Sequence, residues 1–338
     1  MVTLIKFISS RKVLFMRADI GVVAKACSVS KTTVSKVFTQ KAGVSDAMRR
    51  KILDTARRLN YTPKQVMAQD TIAIVTDKTI FSWAVGFRPM LVAAVMGRLT
   101  DSGYLIKIIS PEEIRLLIGS YTKAAIIVGA HESEVERDVR ELKKIGVSTI
   151  TINEIFEGCH AVCSDHAQAV ELAVDHLAEA GHRKISLMID ALDCWGGRER
   201  LRGYREAMRK HGLDTLPYRN VKEIGTIVEC LHHVRNDGAT AVIIEGESMI
   251  HEAVYMFNIL RIKVPDELSV ISSEVINISR WFTPPHTTTH QDLDDMAEKI
   301  VECIRHILDG KSGEPCIMMQ PAALIKRNSV KVINKDIE

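Results

Sequence analysis

No stretch of the 338 residues comes near the ~20 consecutive apolar residues that an α-helical membrane span needs. The opening M-V-T-L-I-K-F-I-S-S-R-K-V-L-F-M is interrupted by Lys6, Arg11 and Lys12, and no small-residue cleavage site follows it, so it does not read as a signal peptide. Residues 1–16 are taken as an extension, with Met16 as an alternative start. The seven cysteines (27, 159, 163, 194, 230, 303 and 316) are odd in number and scattered, which suits reduced thiols in the cytoplasm better than a disulfide framework. Also missing are a Gly-rich phosphate loop, a nucleophile elbow and an H-E-x-x-H pair, so no catalytic constellation or cofactor site is legible. C-H-A-V-C-S-D-H at 159–166 holds many potential metal ligands, but on an extended segment Cys159 and Cys163 face one side and His160 the other. His286 and His290 lie in a proline- and threonine-rich run that reads as loop, not as a helical ligand pair.

What is present is a strong asymmetry of charge. Residues 1–70 hold 14 Lys and Arg against 4 Asp, whereas residues 71–338 hold 31 basic against 38 acidic side chains. A small basic head on a larger acidic body points to a polyanion as partner of the head. Asp19 is placed to cap a helix with apolar residues at 20, 23, 24 and 27; Ser28-Val29-Ser30 is a turn. Ser30 caps a second helix, in which Val34, Val37 and Phe38 form one face and Lys31, Thr32, Ser35 and Lys36 the other. A third helix follows the capping residue Ser45, with Met48, Ile52, Ala56 and Leu59 at helical spacing. Three short helices with a tight turn between the first two make a helix-turn-helix. Its second helix is poor in apolar bulk because only one stripe meets a core, and the polar face is left to enter a major groove. Lys31 and Thr32 would then reach base edges, with Thr33, Ser35 and Lys36 on phosphates. Arg49 and Tyr61 complete the candidate DNA-binding set.

The head reads V-A-K-A-C-S-V-S-K-T-T-V-S-K-V-F-T and closes on Tyr61-Thr62-Pro63. It resembles the lactose-repressor (LacI/GalR) family, whose pattern is V-A-x-x-A-G-V-S-x-x-T-V-S-R-V-x-N followed by Y-x-P. The departures are Cys27 for Ala, Ser28 for the turn Gly, Lys36 for Arg and Thr39 for Asn. From Thr71 onward, apolar strands alternate with amphipathic segments, which predicts βαβ units in two α/β lobes facing a cleft. Here too motifs of the family occur in order: D-H-L-A-E-A-G-H-R-K-I-S at 175–186, R-x-x-G-Y at 200–204, V-P-D-E-L-S-V at 264–270, P-P-H-T-T-T-H-Q at 284–291 and L-I-K-R-N-S at 324–329.

The resemblance implies an all-α helix-turn-helix head on an α/β two-lobed, periplasmic-binding-protein-like body. The corresponding division is a head at 17–62, a hinge at 63–70, an effector-binding and dimerisation body at 71–330 and a tail at 331–338. It also implies a sugar or related metabolite as effector between the lobes. The effector-binding residues carried over are Asp77, Trp83, Arg200, Glu247, Glu274 and Gln291. Trp83 is open to a second reading as lobe packing, and Arg200 to one as a partner of Glu199 or a surface acid. Two departures touch the ligand: the family's N-D is Gly246-Glu247 here, and its G-F-D ends as Ser272-Ser273-Glu274. The implied function is a cytoplasmic repressor without cofactor, binding a pseudopalindromic DNA operator as a homodimer, with no membrane partner. The rivals are a sugar-binding transport component with the same body and a metabolic enzyme with a basic arm. The hinge departs furthest: only K-Q-V-M-A-Q-D separates Pro63 from Thr71, with Met67 at the family's Ala, Ala68 at its Arg and Asp70 at its minor-groove Leu. A carboxylate is a poor wedge in an electronegative groove, so weaker operator bending is expected, with Val66 or Met67 as substitute wedges.

Overall fold

The computed structural model describes residues 19–38, 43–59, 61, 70–81, 86–118, 120, 122–190, 192–274, 277–309 and 314–333. The extension at 1–16, Trp83 and the hinge residues Val66, Met67 and Ala68 lie outside the described residues. The chain divides into two compact units, Met1–Asp70 and Thr71–Glu338.

In the first unit, α1 (Ile20–Cys27), α2 (Lys31–Phe38) and α3 (Asp46–Arg58) enclose a small core of Val23, Ala24, Cys27, Val34, Val37, Ile52 and Ala56. Each helix begins where a short polar side chain accepts an otherwise unpaired backbone N–H. The Asp19 carboxylate takes the Val22 N–H at 2.9 Å, the Ser30 hydroxyl takes the Thr33 N–H at 3.0 Å, and the Ser45 hydroxyl takes the Met48 N–H at 3.4 Å. Hydrogen bonds from the Val22 and Gly21 backbone N–H groups hold the Asp19 carboxyl below its ordinary value. Ser28 sits at φ 57°, ψ 45°, the left-handed region that ends α1 and that glycine adopts most readily.

The second unit opens with β1 (Thr71–Thr76), α4 (Phe87–Asp101), β2 (Leu105–Ile109), β3 (Thr122–Val128), α5 (Glu132–Lys144), β4 (Ser148–Ile152) and β5 (His160–Ser164). The chain then builds a second lobe from α6 (His166–Glu179), β6 (Ile185–Ile189), α7 (Trp195–Lys210), β7 (Arg219–Asn220), α8 (Val221–Ile224), α9 (Ile227–Asn236), β8 (Ala241–Glu245), α10 (Glu247–Ile259), β9 (Ser269–Glu274) and β10 (Thr287–His290). It returns to the first lobe as α11 (Leu293–Leu308) and β11 (Ile317–Gln320), and ends in the second as β12 (Ala323–Ile325).

The sheet orders are β11-β5-β4-β3-β1-β2 and β12-β10-β9-β8-β6-β7, parallel throughout except for the β10–β12 pair. Strands such as T-I-A-I-V-T are apolar on both faces because helices cover both. In the first lobe Ile72 and Ile74 meet Leu91, Leu99, Ile300 and Ile304 on one side, and Ala73 and Val75 meet Val139 and Leu142 on the other. In the second lobe Leu187 and Ile189 pack with Val174 and Tyr204, and Val242 and Ile244 with Leu231 and Ile250. The crossover segments are tied together: the Asp165 N–H donates to Gln320 O at 2.8 Å and the Ala322 N–H to Gln168 Oε1 at 2.7 Å.

Several motif residues shape the fold. Gly203 of R-x-x-G-Y lies where a Cβ would sit 2.3 Å from Ala167 O, so only glycine lets α6 and α7 approach this closely. The Tyr204 hydroxyl donates to Ile185 O at 2.8 Å, and the His182 ring bridges Thr240 Oγ1 and Lys331 O. His160 of the cysteine-histidine run accepts the Cys316 N–H, while Cys159 and Cys163 are buried.

Candidate functional site

Two separate surfaces hold the residues singled out from the sequence. On the head, Lys31, Thr32 and Lys36 are exposed along α2 and Ser35 is half-buried, while Val34 and Val37 are turned into the core. Lys31 leans over Gly21, where an added Cβ would lie 3.0 Å from Lys31 Cε, and its charge helps to keep Asp19 ionised. The Thr33 hydroxyl bonds to Ser30 Oγ at 2.9 Å, tightening the cap. Arg49 Nη1 donates to Val37 O at 3.1 Å near the end of α2, and the Tyr61 ring stands edge-on to Phe38 at 5.6 Å. Asp19, Ser30, Thr33, Ser45, Arg49 and Tyr61 therefore shape the head, and Lys31, Thr32 and Lys36 form its outward polar face.

In the body, the carboxyl ends of parallel strands from both lobes meet at a cleft of about 410 Å³. This is where open parallel sheets place ligands, because strands end and helix N-termini begin there. Arg200, near the start of α7, donates from Nε to Glu245 Oε2 at 3.2 Å. Neither partner is far into solvent: the side chains are 13% and 1% exposed. Glu245 Oε1 also accepts from the Thr289 hydroxyl at 3.0 Å. Burial raises the Glu245 carboxyl above its ordinary value, and Arg200 and Thr289 oppose that rise by favouring the anion.

The candidate effector residues take the following places in the structure. The acid on Arg200 is Glu245, the last residue of β8, and not Glu199, which pairs with Arg202. Glu247 is the first residue of α10, two residues beyond Glu245. Asp77 turns its carboxylate onto Arg88, and Arg88 is the member of the pair that lines the cleft. Glu274 does line the cleft, yet its oxygens are taken by the Ser279 N–H, the Thr288 hydroxyl and Arg327 at 2.8, 2.8 and 3.1 Å. Gln291 follows β10 at the cleft wall.

Sequence reasoning missed further cleft residues. His166, the first residue of α6, is buried beside Trp195, and its Nδ1 has no hydrogen-bond partner. Burial, then the charge of Arg200, pushes its imidazole well below the usual range, so it is neutral. A Cβ at Gly196 would lie 2.9 Å from that ring, which is why glycine stands there. Glu154, after β4, accepts the Trp195 N–H of the opposite lobe at 3.2 Å and is raised to about 7 by burial. Glu132 and Arg198 span the same gap with bonds of 2.7 and 3.0 Å. The one sequence signal was an acid ending an otherwise apolar strand, as in A-V-I-I-E.

A profile for "Bacterial regulatory proteins, lacI family" matches residues 20–64, and one for a "Periplasmic binding protein-like domain" matches residues 174–330. The head is a LacI-family helix-turn-helix domain, and the body carries a periplasmic-binding-protein-like domain. Among curated relatives, the HTH-type transcriptional repressor PurR of Photobacterium profundum is 25% identical over 341 residues, covering 94% of this chain and 100% of that protein. Among solved structures, the lac repressor dimer bound to operator and the anti-inducer ONPF superposes with a TM-score of 0.69 at 20% identity, over 94% of this chain and 100% of that one. The transcriptional regulator CelR in complex with cellobiose gives 0.66 at 21% identity, over 93% and 100% of the two chains. These two domain matches and the shared fold agree with the helix-turn-helix head and the two-lobed body. Among the described residues, no helix is long and apolar enough to cross a membrane.

Proposed function

We propose that this chain is a cytoplasmic transcriptional repressor: α2 of the head reads operator DNA, and a small molecule in the interlobe cleft sets the affinity. The observation that carries the reading is the union, in one chain, of a capped three-helix head exposing Lys31, Thr32 and Lys36 with a two-lobed cleft built around Arg200 and Glu245. The division is a head at 17–62, a hinge at 63–70 and an effector-binding body at 71–330. Effector shifts the population of lobe arrangements, and the heads of a homodimer then match or miss successive major grooves. A second copy as partner would cover apolar side chains that the single chain leaves exposed, among them Leu116 and Ile118 in the first lobe and Tyr255 and Ile259 on α10.

Gel shifts of the full-length chain on genomic fragments, repeated across a salt series, test this reading. A specific complex is expected, with log K falling by about 0.9 per phosphate neutralised for each unit of log salt. Binding of a sugar without any specific DNA complex would favour the transport-component reading instead.

A further inference from the structure

Resting on α2 as the element that reads DNA, we infer that Gly21 and Asp19, at the start of α1, are positioning residues for Lys31. Together they hold the lysine ready for a guanine edge in the major groove. Neither touches a base; both act through Lys31.

The geometry begins with a side chain that is absent. A Cβ built on Gly21 would lie 3.0 Å from Lys31 Cε, 3.4 Å from Lys31 Nζ and 2.9 Å from Asp19 Oδ1. The end of the lysine thus occupies the space that any other residue at 21 would fill, and the carboxylate flanks the same point. The backbone gives no reason for glycine there, since Gly21 lies in the first turn of α1 and is not among the glycines at positive φ. Glycine inside a helix is less stable than alanine. What calls for it is the room that Lys31 uses.

Charge explains the acid. Lys31 is the first residue of α2, and neither α1 nor α2 carries an acidic residue in its first turn. A helix N-terminus repels a cation, so an ammonium left to itself would swing outward. Asp19 supplies the missing counter-charge. Its carboxylate is kept ionised by the Val22 and Gly21 N–H groups, and Lys31 adds to their effect. Asp19 and Lys31 are both exposed, so the attraction is screened by salt and the slot over Gly21 completes the hold.

An unrestrained lysine samples many rotamers, and binding must freeze them. A stem laid across Gly21 has given up part of that freedom before DNA arrives, which lowers the ordering cost. An ammonium only donates, so the edge it reads presents acceptors, as guanine does through O6 and N7. Asp19 is repelled by every phosphate. The pair therefore favours discrimination between sites over affinity for DNA in general.

The test uses the full-length chain and a random-sequence duplex library, from which the wild type and each variant select their sites. Lys31→Ala is expected to lose a preferred guanine at one position of each half-site. Gly21→Ala is expected to weaken the preference at that same position by about two- to tenfold, while the other positions keep theirs. Combining the two changes should cost no more than Lys31→Ala alone. Asp19→Asn, still a good helix cap, is expected to relax the same position and to bind random duplex more tightly. A carboxylate that only caps the helix predicts neither change. Thermal melting shows whether each variant is folded, and if Gly21→Ala is not, Asp19→Asn carries the comparison. Unchanged preferences in these variants, a loss spread over all positions, or losses that add to that of Lys31→Ala would each overturn the inference. A wild type that selects no sequence would sink the DNA-reading head as well, whereas a selected sequence indifferent to Gly21 and Asp19 removes their positioning role alone.

Discussion

Glu154 lies between the lobes, 7% exposed, with its carboxylate 3.2 and 3.4 Å from the Trp195 N–H. Burial raises its carboxyl from the ordinary 4.5 to about 7. The Trp195 hydrogen bond and Arg198 work against that rise, whereas Glu132 and Asp193 add to it. Between those two pH values the folded chain holds a proton that the unfolded chain releases, so stability falls as pH rises. The raised value corresponds to about 3 kcal/mol, absent below the unfolded value and fully felt above the folded one. Glu154→Gln keeps an acceptor for the Trp195 N–H and removes the charge. The variant is therefore expected to unfold with up to about 3 kcal/mol more free energy than wild type at pH 8, and with nearly the same free energy near pH 4.5. Urea unfolding of the full-length chain at several pH values, followed by tryptophan fluorescence, measures the difference. A difference that stays constant with pH, or a variant less stable at pH 8, would refute burial as the cause.

On the head, Lys36→Ala is expected to weaken binding to all DNA and flatten the salt dependence, whereas Lys31 or Thr32 changes should cost about 1–3 kcal/mol on the cognate site only. Equal losses on cognate and random DNA would remove Lys31 and Thr32 from base reading. In the cleft, Arg200→Ala should abolish the effector response and destabilise the body by about 3–5 kcal/mol, because Glu245 is left buried and unpaired. Adding Glu245→Gln should restore most of that stability but not the response; chemical denaturation and calorimetry separate the two. Finally, the hinge sequence predicts a shallower operator bend than that of relatives. Energy transfer between labelled DNA ends reads this, and a sharp kink lost in Met67→Ala would show that Met67 acts as the wedge.

The head was legible almost residue by residue. Asp19, Ser30 and Ser45 cap helices whose apolar spacing is written within three or four residues of each cap, so the signal and its consequence are local. The parallel strands were visible for the same reason, since T-I-A-I-V and A-V-I-I are continuous apolar runs bounded by breaks. The return of α11 and β11 to the first lobe was not visible, because nothing in an amphipathic helix names the sheet it will cover. The charge pairs of the cleft were hidden by the same distance along the chain. Arg200 meets Glu245 across 45 residues and Glu274 meets Arg327 across 53, while Glu199 stands next to Arg200 and pairs elsewhere. Local pattern determines which segments are helix or strand, because caps and periodicity act between near neighbours. Which carboxylate a buried guanidinium finds, and how far burial shifts its proton, depends on separations in space that only the packed lobes set.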